Sequence, residues 1–137
     1  MKISTRGRYA LRVMIELAEN MENNKDSYIP MKEVSAKQEI SLKYMERILP
    51  VLVSHKFVEG IHGKGGGYRL TREPSQYTVG EILRATENDL APVACLNTDA
   101  EECARKNDCR TLPLWIGLNK CVTEYLDGVK LSDLVKG

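Results

Sequence analysis

Residues 39–70 read EISLKYMERILPVLVSHKFVEGIHGKGGGYRL, and the order of patterns within them decides the fold. Ser41 is a good helix N-cap, because its short hydroxyl side chain can accept from a first-turn amide. Leu42, Met45, Ile48, Leu49, Leu52 and Val53 then recur at helical spacing and predict one buried stripe. Pro50 falls inside that pattern, lacks a backbone N–H, and predicts a kink or change of pitch. The period changes after Phe57. Val58 and Ile61 precede Gly63-Lys64-Gly65-Gly66-Gly67, and Tyr68-Arg69-Leu70 follow, which reads as two short strands around a glycine-rich tip. The glycine spacing matches neither a Walker loop nor the G-x-G-x-x-G fingerprint, which argues against a nucleotide-binding enzyme.

Upstream, Ala10, Val13, Met14, Leu17 and Ala18 predict a helix over Tyr9 to Asn20. Asn20 to Ser27 is rich in turn formers and predicts a loop. Tyr28-Ile29-Pro30 predicts an extended piece, since the residue before proline avoids the helical region. Met31 to Gln38 predicts a short helix with Met31 and Val34 inward, followed by the short turn Glu39-Ile40-Ser41. Three helices, the last two joined by a tight turn, and then a hairpin describe a winged helix-turn-helix over residues 1–74.

Downstream, residues 75–137 open on Thr78-Val79-Gly80-Glu81, a capping box that starts a helix running to about Thr86. Glu87 to Arg110 is polar and aperiodic, with a cysteine loop at about 92–111. Leu114, Trp115, Leu118, Cys121, Val122, Tyr125 and Leu126 predict a long amphipathic helix over about 112–127, ended by Gly128. Leu131, Leu134 and Val135 predict a last short helix. The expected class is mainly α with a small β-hairpin wing, in one compact chain. No repeat, low-complexity tract or long linker is visible.

The 137 residues carry 20 Lys+Arg against 19 Asp+Glu, a net charge of +1 that hides an asymmetry. Residues 1–74 hold 13 basic and 9 acidic side chains, net +4, and residues 75–137 hold 7 and 10, net −3. The first twelve residues contain Lys2, Arg6, Arg8 and Arg12 and no acid. A basic half joined to an acidic half suggests an anionic partner for the first half. No apolar run approaches a membrane span, and Met1 to Arg6 lacks the apolar core of a signal peptide, so a cytoplasmic location is expected with no membrane partner.

The helix after Ser41 offers Ser41, Lys43, Tyr44, Glu46 and Arg47 near its N-terminus, where groove contacts concentrate. Lys43 and Arg47 can bind phosphate or guanine, and Glu46 can accept from cytosine N4. His62 and Lys64 sit at the hairpin tip, beside glycines that let backbone amides approach a phosphate. The same residues also suit a solvated helix face and a plain tight turn. His55, the other histidine, reads as structural or solvent-facing.

The four cysteines are Cys95, Cys103, Cys109 and Cys121, with no C-x-x-C pair. In a cytoplasmic chain a disulfide framework is disfavoured. Three thiolates close together on one loop before a helix can hold an iron–sulfur cluster or a metal, or they can be unrelated thiols. Cys121 falls on the predicted buried stripe of the long helix and reads as a small core residue.

Met1-Lys2-Ile3-Ser4-Thr5-Arg6-Gly7-Arg8-Tyr9-Ala10, Ile40-Ser41-Leu42-Lys43-Tyr44-Met45-Glu46 and Gly63-Lys64-Gly65-Gly66-Gly67-Tyr68 together resemble the IscR/NsrR/CymR-type winged-helix transcription regulators. Thr78 to Ile82, Cys109 to Trp115 and Leu131 to Val135 extend the resemblance over essentially the whole chain. It implies a homodimer, built on the long helix from about Leu112 to Asp127, that binds a palindromic double-stranded DNA operator. It carries Ser41, Lys43, Tyr44 and Glu46 over as groove residues, and places His62 where some members carry a wing arginine.

The resemblance also implies a 2Fe–2S cluster on Cys95, Cys103 and Cys109, sensing cluster status, redox or nitric oxide. The first cysteine gap is longer than the usual one. Where IscR-type members supply a histidine this chain has Leu112, and where others use the first helix it has Arg8 and Arg12. None of these can ligate, so the fourth ligand is unknown, with Asp108, Cys121, an exogenous thiol or water as candidates. CymR-type members lack the cysteines and sense through a partner protein, a variant the three cysteines argue against. A DNA-binding regulator whose loop is a direct thiol switch or a zinc site stays open. An enzyme is not expected, because no Ser-His-Asp set or catalytic carboxylate pair is present, nor is a small-molecule substrate.

Overall fold

The computed structural model describes residues 2–87, 90–96 and 107–135. Its helices are α1 (Thr5–Asn23), α2 (Met31–Gln38), α3 (Leu42–Ser54), α4 (Val79–Thr86), α5 (Leu112–Gly128) and α6 (Leu131–Leu134). The strands β1 (Val58–Ile61) and β2 (Gly67–Leu70) lie between α3 and α4. The architecture is a winged helix-turn-helix extended by three further helices.

α1 starts four residues earlier than the apolar period predicts. Ser4 caps it, its hydroxyl accepting from the Gly7 amide at 3.1 Å, and this draws Thr5 to Arg8 into the helix. It also ends later, at Asn23, inside the segment expected to be a loop. α2 ends at Glu39 in the left-handed region (φ 55°), which turns the chain before Ser41 caps α3 through the Tyr44 amide at 3.1 Å. α3 runs unbroken through Pro50, which lies on its exposed side.

β1 and β2 pair antiparallel from Val58–Leu70 to Ile61–Gly67. Tyr28-Ile29-Pro30 is extended and joins this hairpin. Ile29 and Tyr68 exchange two backbone hydrogen bonds, each 2.9 Å. Gly67 makes that approach possible. It sits at φ 145°, and a Cβ there would run into the Ile29 carbonyl.

The core gathers Val13, Met14 and Leu17 from α1, Val34 from α2, and Met45, Ile48 and Leu52 from α3, all at most 1% exposed. Residues beyond position 74 belong to the same core: Tyr77, Ile82 and Leu131 are fully buried in it. The buried Tyr77 hydroxyl donates to the Phe57 carbonyl (2.6 Å) and accepts from the amides of Thr71 and Arg72 (both 3.1 Å). That satisfies a buried polar group and ties the end of the wing to the approach of α4. The capping box of α4 forms in full, with Glu81 N–H on the Thr78 hydroxyl and Thr78 N–H on the Glu81 carboxylate.

Two stripes depart from expectation. Leu42 and Val53, at the ends of the α3 stripe, are exposed, at 43% and 42%. Ile40, just ahead of the helix, is buried instead. α5 has no buried residue at all. α5 packs on α4, and its apolar residues divide into two faces: Trp115, Val122 and Leu126 are half-buried, while Leu114, Leu118, Cys121 and Tyr125 are exposed. Cys121 is therefore a surface residue and not a core one, because the stripe it lies on is exposed among the described residues. Among the described residues no helix is long and apolar enough to cross a membrane.

Candidate nucleic-acid interface and cysteine segment

The outward side of α3 is built by its cap and its stripe. Burial of Met45, Ile48 and Leu49 turns Lys43, Glu46 and Arg47 to solvent, all three exposed. Ser41 is exposed, but its hydroxyl already accepts from the Tyr44 amide as the cap, which leaves its O–H donor and one lone pair for a base. Tyr44 is half-buried and leans edge-on against Tyr9 of α1, with ring centroids 5.3 Å apart. The Arg12 guanidinium lies over Tyr9 at 5.1 Å and donates to the Gln38 side chain and carbonyl. Gln38 in turn donates to Glu16 at 2.8 Å, and the buried Glu16 also meets Lys37 at 3.6 Å. This chain of contacts fixes the end of α2, and hence the turn into α3, against α1.

At the wing tip, Gly63 (φ 92°) and Gly65 (φ 77°) take up left-handed turn geometry. His62 and Lys64 project from that turn, both exposed. Arg69 does not join them. It donates to Glu59 (2.7 Å) and to the Asp26 carbonyl (2.8 Å) and covers the Tyr28 ring, so it braces the base of the wing. The hydrogen bond to Glu59 holds its proton more tightly than usual.

The N-terminal cations separate into two groups. Lys2 and Arg8 are exposed, with Arg8 touching the Thr5 hydroxyl at 3.1 Å. Arg6 is half-buried and donates through two nitrogens to the Thr86 carbonyl at the end of α4. Beside it, the Glu87 carboxylate accepts from the Ser4 amide (2.8 Å) and hydroxyl (2.7 Å). Gly7 leaves room for this carboxylate, which a Cβ would strike. Nothing in the local pattern of either segment announces this clip, because its partners lie about eighty residues apart. Ser4, Thr5, Arg6, Tyr44, Arg47 and Glu87 line one open cleft beside the start of α3.

Several surface cations are drawn into ion pairs. Arg69, Arg72, Arg84, Lys25 and Lys37 each sit in an ion pair with a carboxylate. Among the described residues Lys2, Arg8, Lys43, Arg47 and Lys64 do not, and neither do the exposed Lys32, Lys56, Arg110 and Lys130; the first turn of α1, the start of α3 and the wing tip therefore carry uncompensated positive charge. Such charge suits a polyanion.

Cys95 is exposed in a short 3₁₀ turn, Ala94–Leu96, and Cys109 is half-buried three residues before α5, its sulfur 3.5 Å from the Thr111 hydroxyl. Cys103 lies outside the described residues. Among the described residues no group of three or more His, Cys, Asp or Glu side chains converges on a metal position.

The sequence profile of the Rrf2 family, described as an iron-dependent transcriptional regulator, matches residues 3–137. The chain belongs to the Rrf2 family. It is 33% identical over 135 residues to the HTH-type transcriptional regulator IscR of Sodalis glossinidius, covering 98% of this chain and 79% of that protein. Among solved structures it is similar to the global cysteine regulator CymR of B. subtilis, with a TM-score of 0.77 and 35% identity, covering 98% of this chain and 96% of CymR. It is also similar to T. potens IscR, with a TM-score of 0.73 and 27% identity, covering 98% of this chain and 85% of that one. This Rrf2 protein is thus a DNA-binding, IscR-like transcriptional regulator on a winged-helix fold, and its relatives are regulators and not enzymes.

Proposed function

We propose that this Rrf2 protein acts as a homodimer that reads a palindromic operator and senses iron–sulfur status, redox or nitric oxide through a 2Fe–2S cluster on Cys95, Cys103 and Cys109. The observation that carries the DNA-facing assignment is the set of unpaired cations. Lys43 and Arg47 on α3, Lys64 on the wing and Lys2 and Arg8 at α1 are all exposed, and among the described residues none of them is in an ion pair. Ser41, Lys43, Tyr44, Glu46 and Arg47 address the major groove and His62 and Lys64 the flanking backbone or minor groove. Arg6 supports the face from behind by holding Thr86. The apolar row Leu114, Leu118, Cys121 and Tyr125 supports α5 as the dimer helix.

Thiolates are the donors an iron–sulfur cluster takes, and the family's description as iron-dependent agrees with that chemistry. When bound, such a cluster supplies an iron centre that responds to oxidants and nitric oxide. The thiolates lie on the segment that leads into α5, so their ligation state alters the order of the chain entering the dimer helix and biases operator affinity. The fourth ligand is open, with Asp108, Cys121, an exogenous thiol or water available. Anaerobically isolated protein should show visible absorbance with matching iron and sulfide, and Cys103→Ala should lose it. Survival of both the colour and the operator affinity in that variant would sink the cluster reading.

A second reading, a thiol switch or zinc site without iron, is favoured by the exposure of Cys95 and by Leu112 standing where an IscR-type histidine would ligate. Zinc without sulfide, or reversible thiol oxidation in colourless protein, would select it.

A further inference from the structure

We propose that Leu42 is a sequence-determining residue of the operator contact and reads the C5-methyl group of a thymine in the major groove. The proposal rests on the DNA-binding reading of α3 given above and names one base group that this helix recognises. Leu42 is the first residue of α3, directly after the Ser41 cap. The helical period assigns it to the buried stripe, yet it is 43% exposed while Met45 and Ile48 of the same stripe are at 1% and 0%. Ile40, 2% exposed, sits in the core just before the helix starts, and Leu42 stays outside.

Its surroundings are those of a groove contact. Ser41 and Lys43 flank it, and Glu46 follows one turn later, all exposed. A helix entering the major groove meets one apolar group on the base edges, the thymine methyl, and a branched apolar side chain at its exposed start is placed to cover it. The N-terminal residues of a recognition helix are the ones that reach base edges. Leu42 and Glu46 are four apart and lie on one face, so the thymine sits close to the base pair that Glu46 addresses.

The test begins with the operator, selected from a random-sequence DNA pool by the parent protein. Deoxyuridine, which lacks only the methyl group, then replaces each thymine in turn. Burial of one methyl predicts that at one thymine per half-site the replacement weakens parent binding about four-fold. Leu42→Ala should bind the thymine and deoxyuridine operators alike, and should match the parent on the deoxyuridine operator. The idea is overturned if the parent is indifferent to deoxyuridine at every thymine, an outcome that needs no variant to fold. It is equally overturned if Leu42→Ala keeps the discrimination. Failure of the DNA-binding reading itself looks different, since the pool then yields no enriched sequence.

Discussion

Glu46 and Arg8 both face outward on the basic side of the molecule, and they are expected to act on DNA in different ways. Glu46 carries an acceptor and no positive charge, so it can contribute only by discriminating between base edges. Arg8 stands at the first turn of α1, away from the helix proposed to address the bases, and is expected to meet the backbone. Glu46→Ala should therefore change which operator sequences are preferred, while Arg8→Ala should weaken all sequences alike and reduce the salt dependence by about one charge. Binding titrations at several salt concentrations against a sequence panel would distinguish these, and equal effects from the two variants would remove the assignment. Both residues were legible from local chemistry alone, as exposed charges near helix starts. Arg6 was not. Its type and position match Arg8, but its guanidinium turns inward to the Thr86 carbonyl, and that partner is invisible to any window of sequence around residue 6.

Single elements show how a local rule and a long-range contact combine. The α4 capping box was readable as Thr78-Val79-Gly80-Glu81 and forms as read, because every atom in it lies within one turn. The start of α1 was misread because the apolar period begins only at Tyr9, while Ser4 and the polar turn after it extend the helix without any apolar signal. That extra turn is held from outside by Glu87, which accepts from both the amide and the hydroxyl of the cap residue. Replacing Glu87 by Ala removes two hydrogen bonds at a half-buried cap and should cost about 1–2 kcal/mol of stability. Urea denaturation would measure it, and faster amide exchange at Gly7 and Arg8 would locate it. An unchanged denaturation midpoint would show that the clip contributes nothing. The same open cleft also contains Tyr44 and Arg47, so Glu87 at the end of α4 lies beside the start of α3.

At the scale of the whole molecule, α5 carries two apolar faces, only one of which is covered by a partner among the described residues. The side packed on α4 is held further by Arg84, which meets Asp127 at 2.7 Å. The row through Leu114, Leu118 and Tyr125 is exposed at 61%, 40% and 72%, more apolar surface than a lone helix usually shows to water. In the proposed homodimer, Leu118→Asp should give a monomer in sedimentation analysis while leaving thermal unfolding of the winged domain intact, since the winged-domain core draws nothing from this row. Dimers of parental stability would exclude α5 as the interface.

The helix-turn-helix and the wing were readable from the residues, because period, caps and glycine turns are local properties that neighbouring side chains enforce on one another, and the regulator family was readable as a resemblance of motifs along the chain. The tertiary structure decided where each face points. It put Leu42 outside and Ile40 inside, turned Arg6 toward α4, left Cys121 on the surface, and joined Ser4 to Glu87 across the chain. Periodicity reports that a face is apolar, and composition reports that a side chain is charged. What covers the face or neutralises the charge is set by residues far away in sequence, and only the folded chain brings them together.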